Sequence, residues 1–404
     1  MLVPADISDR RLVGVHAEHV SNVSSSEFPG HYPDEDYRWD LTEFKRLLHL
    51  DITRLSQRSI ELDLVGVDAS IANAVRRTLI ADVPTLCIEA VFVWNNTSLI
   101  HDEILSHRLG LIPLNADPSF FQMRGGKSSR YGYATPRRVL NLCSFFLFLS
   151  FFLAELENAT DRDTLVFRLE VSCTRNPAAP PHSNDPEELY IDHIVTSGML
   201  KWVPQGEQAE LPQFQRKPPG PTNPNIVLAK LRPGQTIMLE CHAIKGYGRE
   251  HAKWSPVATA TYRLHPSVKI LRQPPPHLVR KFADCFSPGV IKIIGEGKPE
   301  ARVEVDAWKE RNESMSREIF RHPEFADCVK LGRVRNWFLF SIESEGPYAP
   351  EDLFPTAMNV LRTRIDVLRR AVEALVAGND ETPEEEVDEE GAHGGGADVV
   401  MMDL

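Results

Sequence analysis

Hydrophobic positions recur along this chain with two different periods. Residues 60–67, IELDLVGV, alternate apolar and polar side chains, the period of a half-buried strand. Directly after them the period lengthens. Ile71, Ala74, Val75, Thr78 and Leu79 recur at the 3.6-residue helical repeat, while Asn73, Arg76, Arg77 and Ile80 fall off that stripe. Asp68 stands where an N-cap carboxylate accepts a bond from a free backbone N–H. Pro84 ends the helix, because the residue before a proline is pushed out of the α region. Residues 85–94 are β-branched and aromatic, as in a strand. Asp102 and Glu103 open a second helix, where carboxylates favour the positive end of the dipole.

Further strands are predicted over 164–173 (TLVFRLEVSC) and 334–344 (VRNWFLFSIES). Residues 226–239 and 241–248 read as strands, or as a strand with a short helix. Proline-rich loops separate them at 178–186, 211–224 and 274–276. The longest predicted helix follows Pro350. Its apolar residues Phe354, Met358, Leu361, Ile365, Leu368, Val372 and Leu375 step by four and three in turn. That heptad-like seam suits packing against another helix, within its own domain or outside it. Residues 1–44 are polar and turn-rich and read as an N-terminal arm.

Charge narrows the function classes. The formal net charge is -12, but residues 378–404 hold ten Asp or Glu and no Lys or Arg. The rest of the chain is nearly neutral, which gives no support to a broad nucleic-acid-binding face. The six cysteines, at 87, 143, 173, 241, 285 and 328, form no CxxC pair. With no secretory signal, they read as reduced thiols of an intracellular protein, and their spacing does not suit a zinc or iron–sulfur site. There is no nucleophile motif, Walker A loop or HExxH pair. The GEG turn in residues 293–300 lacks phosphate-cradling spacing, and His101, His107, His242, His251 and His265 are scattered.

One stretch resists this reading. Residues 119–158 include a run over 139–154 that is almost wholly apolar. Its 16 residues fall short of the ~20 that a membrane helix needs. A buried helix is the usual alternative. SFFLFLSFFLA also has the composition of a translated pyrimidine tract, so a retained intron is the favoured reading.

The segment DASIANAVRRTLIADVPTLCIEAVFVWNNTSLIHDEILSHRLGLIPL resembles the signature of the α-like subunits of cellular RNA polymerases. HAKWSPVATATYRLHP (251–266) resembles the point where these subunits return from an inserted domain to the dimerisation domain. CTRNP, KFADCFSPGVIKI, SREIFRHPEFADCVKLGRVRNWFLFSIES and EFPGHYPDEDYRWD look most like the larger α-like subunit shared by eukaryotic polymerases I and III. Gly346, Pro350, Glu351 and Asp352 match the start of the family's C-terminal helix. The resemblance covers almost the whole chain outside the 119–158 insertion and the acidic tail.

What the resemblance implies is an α+β fold with a discontinuous α-like dimerisation domain, residues 45–90 and 256–376. It implies an inserted, mainly β domain over 91–255 and a disordered acidic tail over 377–404. Residues 267–332 are expected to form a ferredoxin-like elaboration lacking cluster ligands. Only Cys285 and Cys328 remain there, and a four-thiolate site needs four. The implied function is a non-catalytic assembly subunit of polymerases I and III in rRNA, 5S rRNA and tRNA transcription, in the nucleus and nucleolus. A metal or redox protein built on the ferredoxin-like section is the alternative. No cofactor or metal is expected. Expected partners are a smaller α-like subunit, the second-largest subunit and small zinc-binding polymerase subunits. DNA is met only through the complex, and no membrane is involved. The implied dimer interface is Ile71, Val75, Leu79, Leu361, Ile365, Leu368 and Val372; the implied large-subunit docking face is Asn73, Arg76 and Arg77.

Overall fold

A computed structural model describes residues 12–23, 38–124, 159–180, 184–325 and 327–376. In chain order its principal elements are β1 (Leu12–Val15), β2 (Val20–Ser21), α1 (Leu41–Leu47), β3 (His49–Leu55), β4 (Ser59–Val65), α2 (Ala69–Ala81), β5 (Pro84–Asn96) and α3 (Asp102–Gly110). They continue with β6 (Thr164–Ser172), β7 (Lys201–Val203), β8 (Thr236–Tyr247), β9 (Val257–Ile270), α4 (Val279–Asp284), β10 (Ile291–Ile294), β11 (Arg302–Val305), β12 (Val329–Ser344) and α5 (Pro350–Val376). The main unit runs to Leu361; from Arg362 a second unit begins, helical in its described part.

The first sheet is built on β12, whose 16 residues serve several partners. One side pairs with β9. On the other, residues 337–343 pair with β4, and residues 331–334 pair with β1. β3 closes the β4 side as an edge strand. Residues directly opposite in an antiparallel pair share a face. Phe338, Phe340 and Ile342 stand opposite Leu64, Leu62 and Ile60, and all six are buried. This apolar face takes α2 and the first turns of α5 through Ala72, Val75, Leu79, Leu353 and Ala357. Tyr262 wedges against Phe338 and Phe340 with ring centroids 5.2 and 5.3 Å away.

The N-terminal region, read from the sequence as an arm, contributes a strand to the first sheet. Leu12 and Val15 are buried, and β1 extends the first sheet with Leu12 opposite Val334. A four-residue apolar strand is too short to announce itself by alternation, and the partner that makes it a strand lies more than 300 residues away. Most of EFPGHYPDEDYRWD lies outside the described residues; α1 follows it, capped by the Asp40 carboxylate on Thr42 N at 2.8 Å.

The second sheet has the order β7-β6-β8-β5. Its core joins Phe167, Leu169, Leu239 and Cys241 to Leu105 and Leu109 of α3. The changeover between sheets falls at Val83–Pro84, not at residue 91. β5 is one continuous strand paired with β8 from Pro84–Tyr247 to Asn96–Ile237, so Leu86 and Ile88 already belong to the second core. β8 is likewise continuous through Glu240, where the sequence suggested a break. The interruption comes earlier, at the Pro233–Gly234 turn, where Gly234 has φ +85°.

A third small core gathers Phe282, Cys285 and Phe286 near α4, Val303 of the β10–β11 hairpin, and Phe325 and Cys328. It packs against Val268 of β9 and Leu331 of β12. Among the described residues no helix is long and apolar enough to cross a membrane; the 139–154 run lies outside them.

Candidate subunit-assembly surface

Asp68 caps α2, accepting from Ser70 N at 2.8 Å. The helix is turned slightly from the stripe read in the sequence. Ala72, Val75, Thr78 and Leu79 are buried, whereas Ile71 is 41% exposed. Residues 72, 75 and 79 are spaced by three and four, so they share the stripe that meets the sheet; the repeat read in the sequence, through Ile71 and Ala74, lies one residue to its side. Val75 and Leu79, at 1% and 0% exposure, belong to the chain's own core and have no surface left to meet a second chain. Of the three α2 residues assigned to the interface, Ile71 is the one that faces outward. Leu361 is half-buried against the first core.

The sequence reading missed the edge strand. Leu50 and Ile52 stand opposite Leu64 and Leu62 and share their core-facing side. Yet they are 44% and 55% exposed, while α2 packs mainly over β9 and β12. Leu55, opposite Ile60, is also exposed. Each such side chain gains ~1.5–3 kcal/mol on full burial. The signal was present in LDITRL, where every second or third residue is apolar on a strand with no covering helix.

The second unit, taken by itself, carries an uncovered apolar stripe. Ile365, Leu368 and Val372 are each more than half exposed, as is Leu375. Its polar side is laced by i,i+3 and i,i+4 pairs, Arg369 with Asp366 and Glu373. A helical stretch polar on one side and bare Leu, Ile and Val on the other is unfinished without a covering surface.

Asn73 and Arg76 are tied to each other. Arg76 Nη2 and Nε donate to Asn73 Oδ1 at 2.9 and 3.2 Å. This i,i+3 bond fixes the half-buried guanidinium along the helix. Arg77, one residue on, is exposed and has no ion-pair partner among the described residues.

The two crossings between sheets meet at one joint, built by residues 251–256. Thr85 Oγ1 donates to Trp254 O at 2.8 Å, and Cys87 Sγ donates to Lys253 O at 2.9 Å. The Lys253 ammonium donates to Ile88 O at 2.9 Å and pairs with Glu89. The Trp254 ring packs so closely on Gly246 that an added Cβ would lie 2.5 Å from it. Tyr348, just before α5, donates to Pro84 O at 3.0 Å, and burial raises its pKa. The string HAKWSP is thus a clasp that fixes one sheet to the other.

The described thiols are buried. Burial pushes Cys87 up to about 11 and Cys241 up to about 12, so both stay protonated near neutrality. Cys285 Sγ donates to Lys281 O at 3.2 Å, and burial raises its pKa as well. Among the described residues no group of three His, Cys, Asp or Glu is placed to hold a metal ion.

A sheet backed by helices on one face, interrupted by a clasped second sheet and left with bare apolar surface at its edge strand, is a module made for pairing with another chain. The chain belongs to the family described as the RNA polymerase Rpb3/Rpb11 dimerisation domain, whose model matches residues 61–365. It is 42% identical over 358 residues to the Saccharomyces cerevisiae protein named DNA-directed RNA polymerases I and III subunit RPAC1, covering 89% of this chain and 97% of the relative. The human protein of the same name is 42% identical over 343 residues, 85% of this chain and 89% of the relative. The Dictyostelium discoideum DNA-directed RNA polymerase II subunit rpb3 is more distant, 26% identical over 349 residues, 83% of this chain and 99% of the relative.

Proposed function

We infer that this chain is the larger α-like assembly subunit of RNA polymerases I and III, a non-catalytic member of the complex. It pairs with a smaller α-like subunit, and the pair forms the platform on which the large catalytic subunits assemble for rRNA, 5S rRNA and tRNA transcription. The observation that carries this reading is the uncovered apolar surface, Leu50, Ile52 and Ile71 in the main unit and Ile365, Leu368 and Val372 in the second. The difference between 42% and 26% identity favours polymerases I and III over II.

In this reading Ile71, Leu361, Ile365, Leu368 and Val372 meet the small partner. Asn73, Arg76 and Arg77 dock the second-largest subunit, and small zinc-binding subunits complete the platform. Guanidinium groups suit docking because they hold carboxylates and carbonyls in fixed geometry. The third core is a ferredoxin-like elaboration retained as packing surface, and the inserted domain, read from the sequence as residues 91–255, is taken to include all of β5 from Pro84. The working location is the nucleus, including the nucleolus. Nothing in the thiol chemistry favours the metal or redox alternative.

The test is purification of the tagged chain from its own cells, with mass spectrometry of what accompanies it. The expected result is stoichiometric recovery of a small α-like subunit with the largest subunits of polymerases I and III. Recovery of the largest polymerase II subunit instead, or of the chain alone, overturns the reading.

A further inference from the structure

The first sheet has a second face, turned away from α2. There the segment 307–311 crosses the strands and leaves a cavity of about 210 Å³. Asp51 and Asp63 stand directly opposite each other on β3 and β4 in its floor, a like-charge pair that is unfavourable unless a cation intervenes. Arg311 neutralises Asp63 at 2.9 Å. Arg46, the other guanidinium at this cavity, is held by Glu43. Asp51 is left exposed, with no cationic partner among the described residues.

The apolar part of the lining includes two indoles. Trp337 lies against His265 with centroids 4.1 Å apart and the rings tilted by 31°, and Trp308 stands 67% exposed on the crossing segment. His265 is itself 5% exposed, and its Nδ1 is buried without a hydrogen-bond partner among the described residues. Burial holds its pKa down at about 4, so the ring is neutral near pH 7. Glu310, also at the cavity, is committed to Val268 N at 2.6 Å.

Size, charge and chemistry agree on one kind of occupant. Pockets for drug-sized ligands and cofactors run ~300–1,000 Å³, so this one suits a single side chain. Indole faces attract cations, and a planar guanidinium both stacks on them and forks onto a carboxylate. We propose that this cavity docks one arginine side chain of a protein partner, against the Trp308 and Trp337 indoles, with Asp51 as its counter-ion. The site lies on the opposite face of β3 from Leu50 and Ile52.

The test uses the full chain with its 5-fluorotryptophan-labelled indoles read by fluorine NMR, the Trp308 signal assigned with Trp308→Phe and the Trp337 signal with Trp337→Phe. N-acetyl-arginine amide is expected to shift the Trp308 and Trp337 signals saturably, while N-acetyl-norleucine amide leaves them in place. Asp51→Asn, a change at an exposed side chain that leaves the fold intact, is expected to weaken arginine binding about tenfold. No saturable shift, an equal response to norleucine, or unchanged affinity in Asp51→Asn overturns the proposal. A photo-crosslinking residue in place of Trp308, in the complex purified from cells, tests the source. A link to a polypeptide segment containing arginine supports it; a link to nucleic acid or to a segment without arginine overturns it.

Discussion

The Asp63 carboxylate lies 2.9 Å from the Arg311 guanidinium, joining a sheet strand to a segment 248 residues further along the chain. Trp337 Nε1 donates to the same carboxylate at 3.2 Å, and Arg311 also reaches Thr53 Oγ1 at 3.2 Å. Asp63 is 6% exposed, so its carboxylate relies chiefly on protein donors. Arg311→Ala leaves a buried carboxylate with only an indole donor and is expected to cost ~3 kcal/mol of stability. Asp63→Asn with Arg311→Met, which removes both charges, should recover most of that loss. Urea unfolding of the three proteins checks it; equal stability of Arg311→Ala and the parent would sink the claim.

His265 makes stability depend on pH. Its folded pKa is held down to about 4, first by burial and also by Arg311 and Arg263, against an ordinary value of 6.5. Above pH 6.5 the ring is neutral in both states and nothing is lost. As pH falls from 6.5 to 4 the unfolded chain takes up a proton that the folded chain refuses, so stability falls. The whole window is worth ~3 kcal/mol. His265→Phe keeps a ring on Trp337 and is expected to flatten this slope, measured as unfolding midpoints between pH 7 and 4. An unchanged slope would assign the pH dependence to other groups.

The stripe on the last helix is expected to tolerate no charge. Ile365→Asp places a carboxylate among Leu368, Val372 and their partner's side chains, and co-purification of the small α-like subunit should be lost. Because Ile365 is 64% exposed in the chain by itself, the variant should still fold. Circular dichroism beside the pull-down separates the two. A normal yield of heterodimer would exclude this stripe from the interface.

Arg76→Ala combined with Arg77→Ala should leave the heterodimer intact and impair binding of the second-largest subunit. Arg77 is expected to carry more of the loss, since Arg76 is already engaged by Asn73. Reconstituted heterodimer titrated with that subunit measures the effect. Normal binding removes the docking role, and failure to form the heterodimer moves the arginines to the dimer interface.

The elements governed by local chemistry were legible in the chain. Asp68 caps its helix two residues before Ser70, Pro84 stands where the helix has ended, and the alternation begun at Ile60 is a strand as far as Val65, because each signal acts within a few residues. What depends on a distant surface was not. Which side of α2 faces inward is decided by the sheet beneath it, so Ala72 is buried and Ile71 is not. Leu12–Val15 becomes a strand only because β12 offers it an edge, and the boundary at Pro84 follows from the full register of β5 on β8. The exposure of Leu50 and Ile52 depends on what comes to lie over β3 at the edge of the sheet. The pairing of Asp63 with Arg311 depends on a segment folding back across the sheet. Periodicity fixes which residues share a face, whereas burial depends on what arrives opposite that face, and only the tertiary structure determines that.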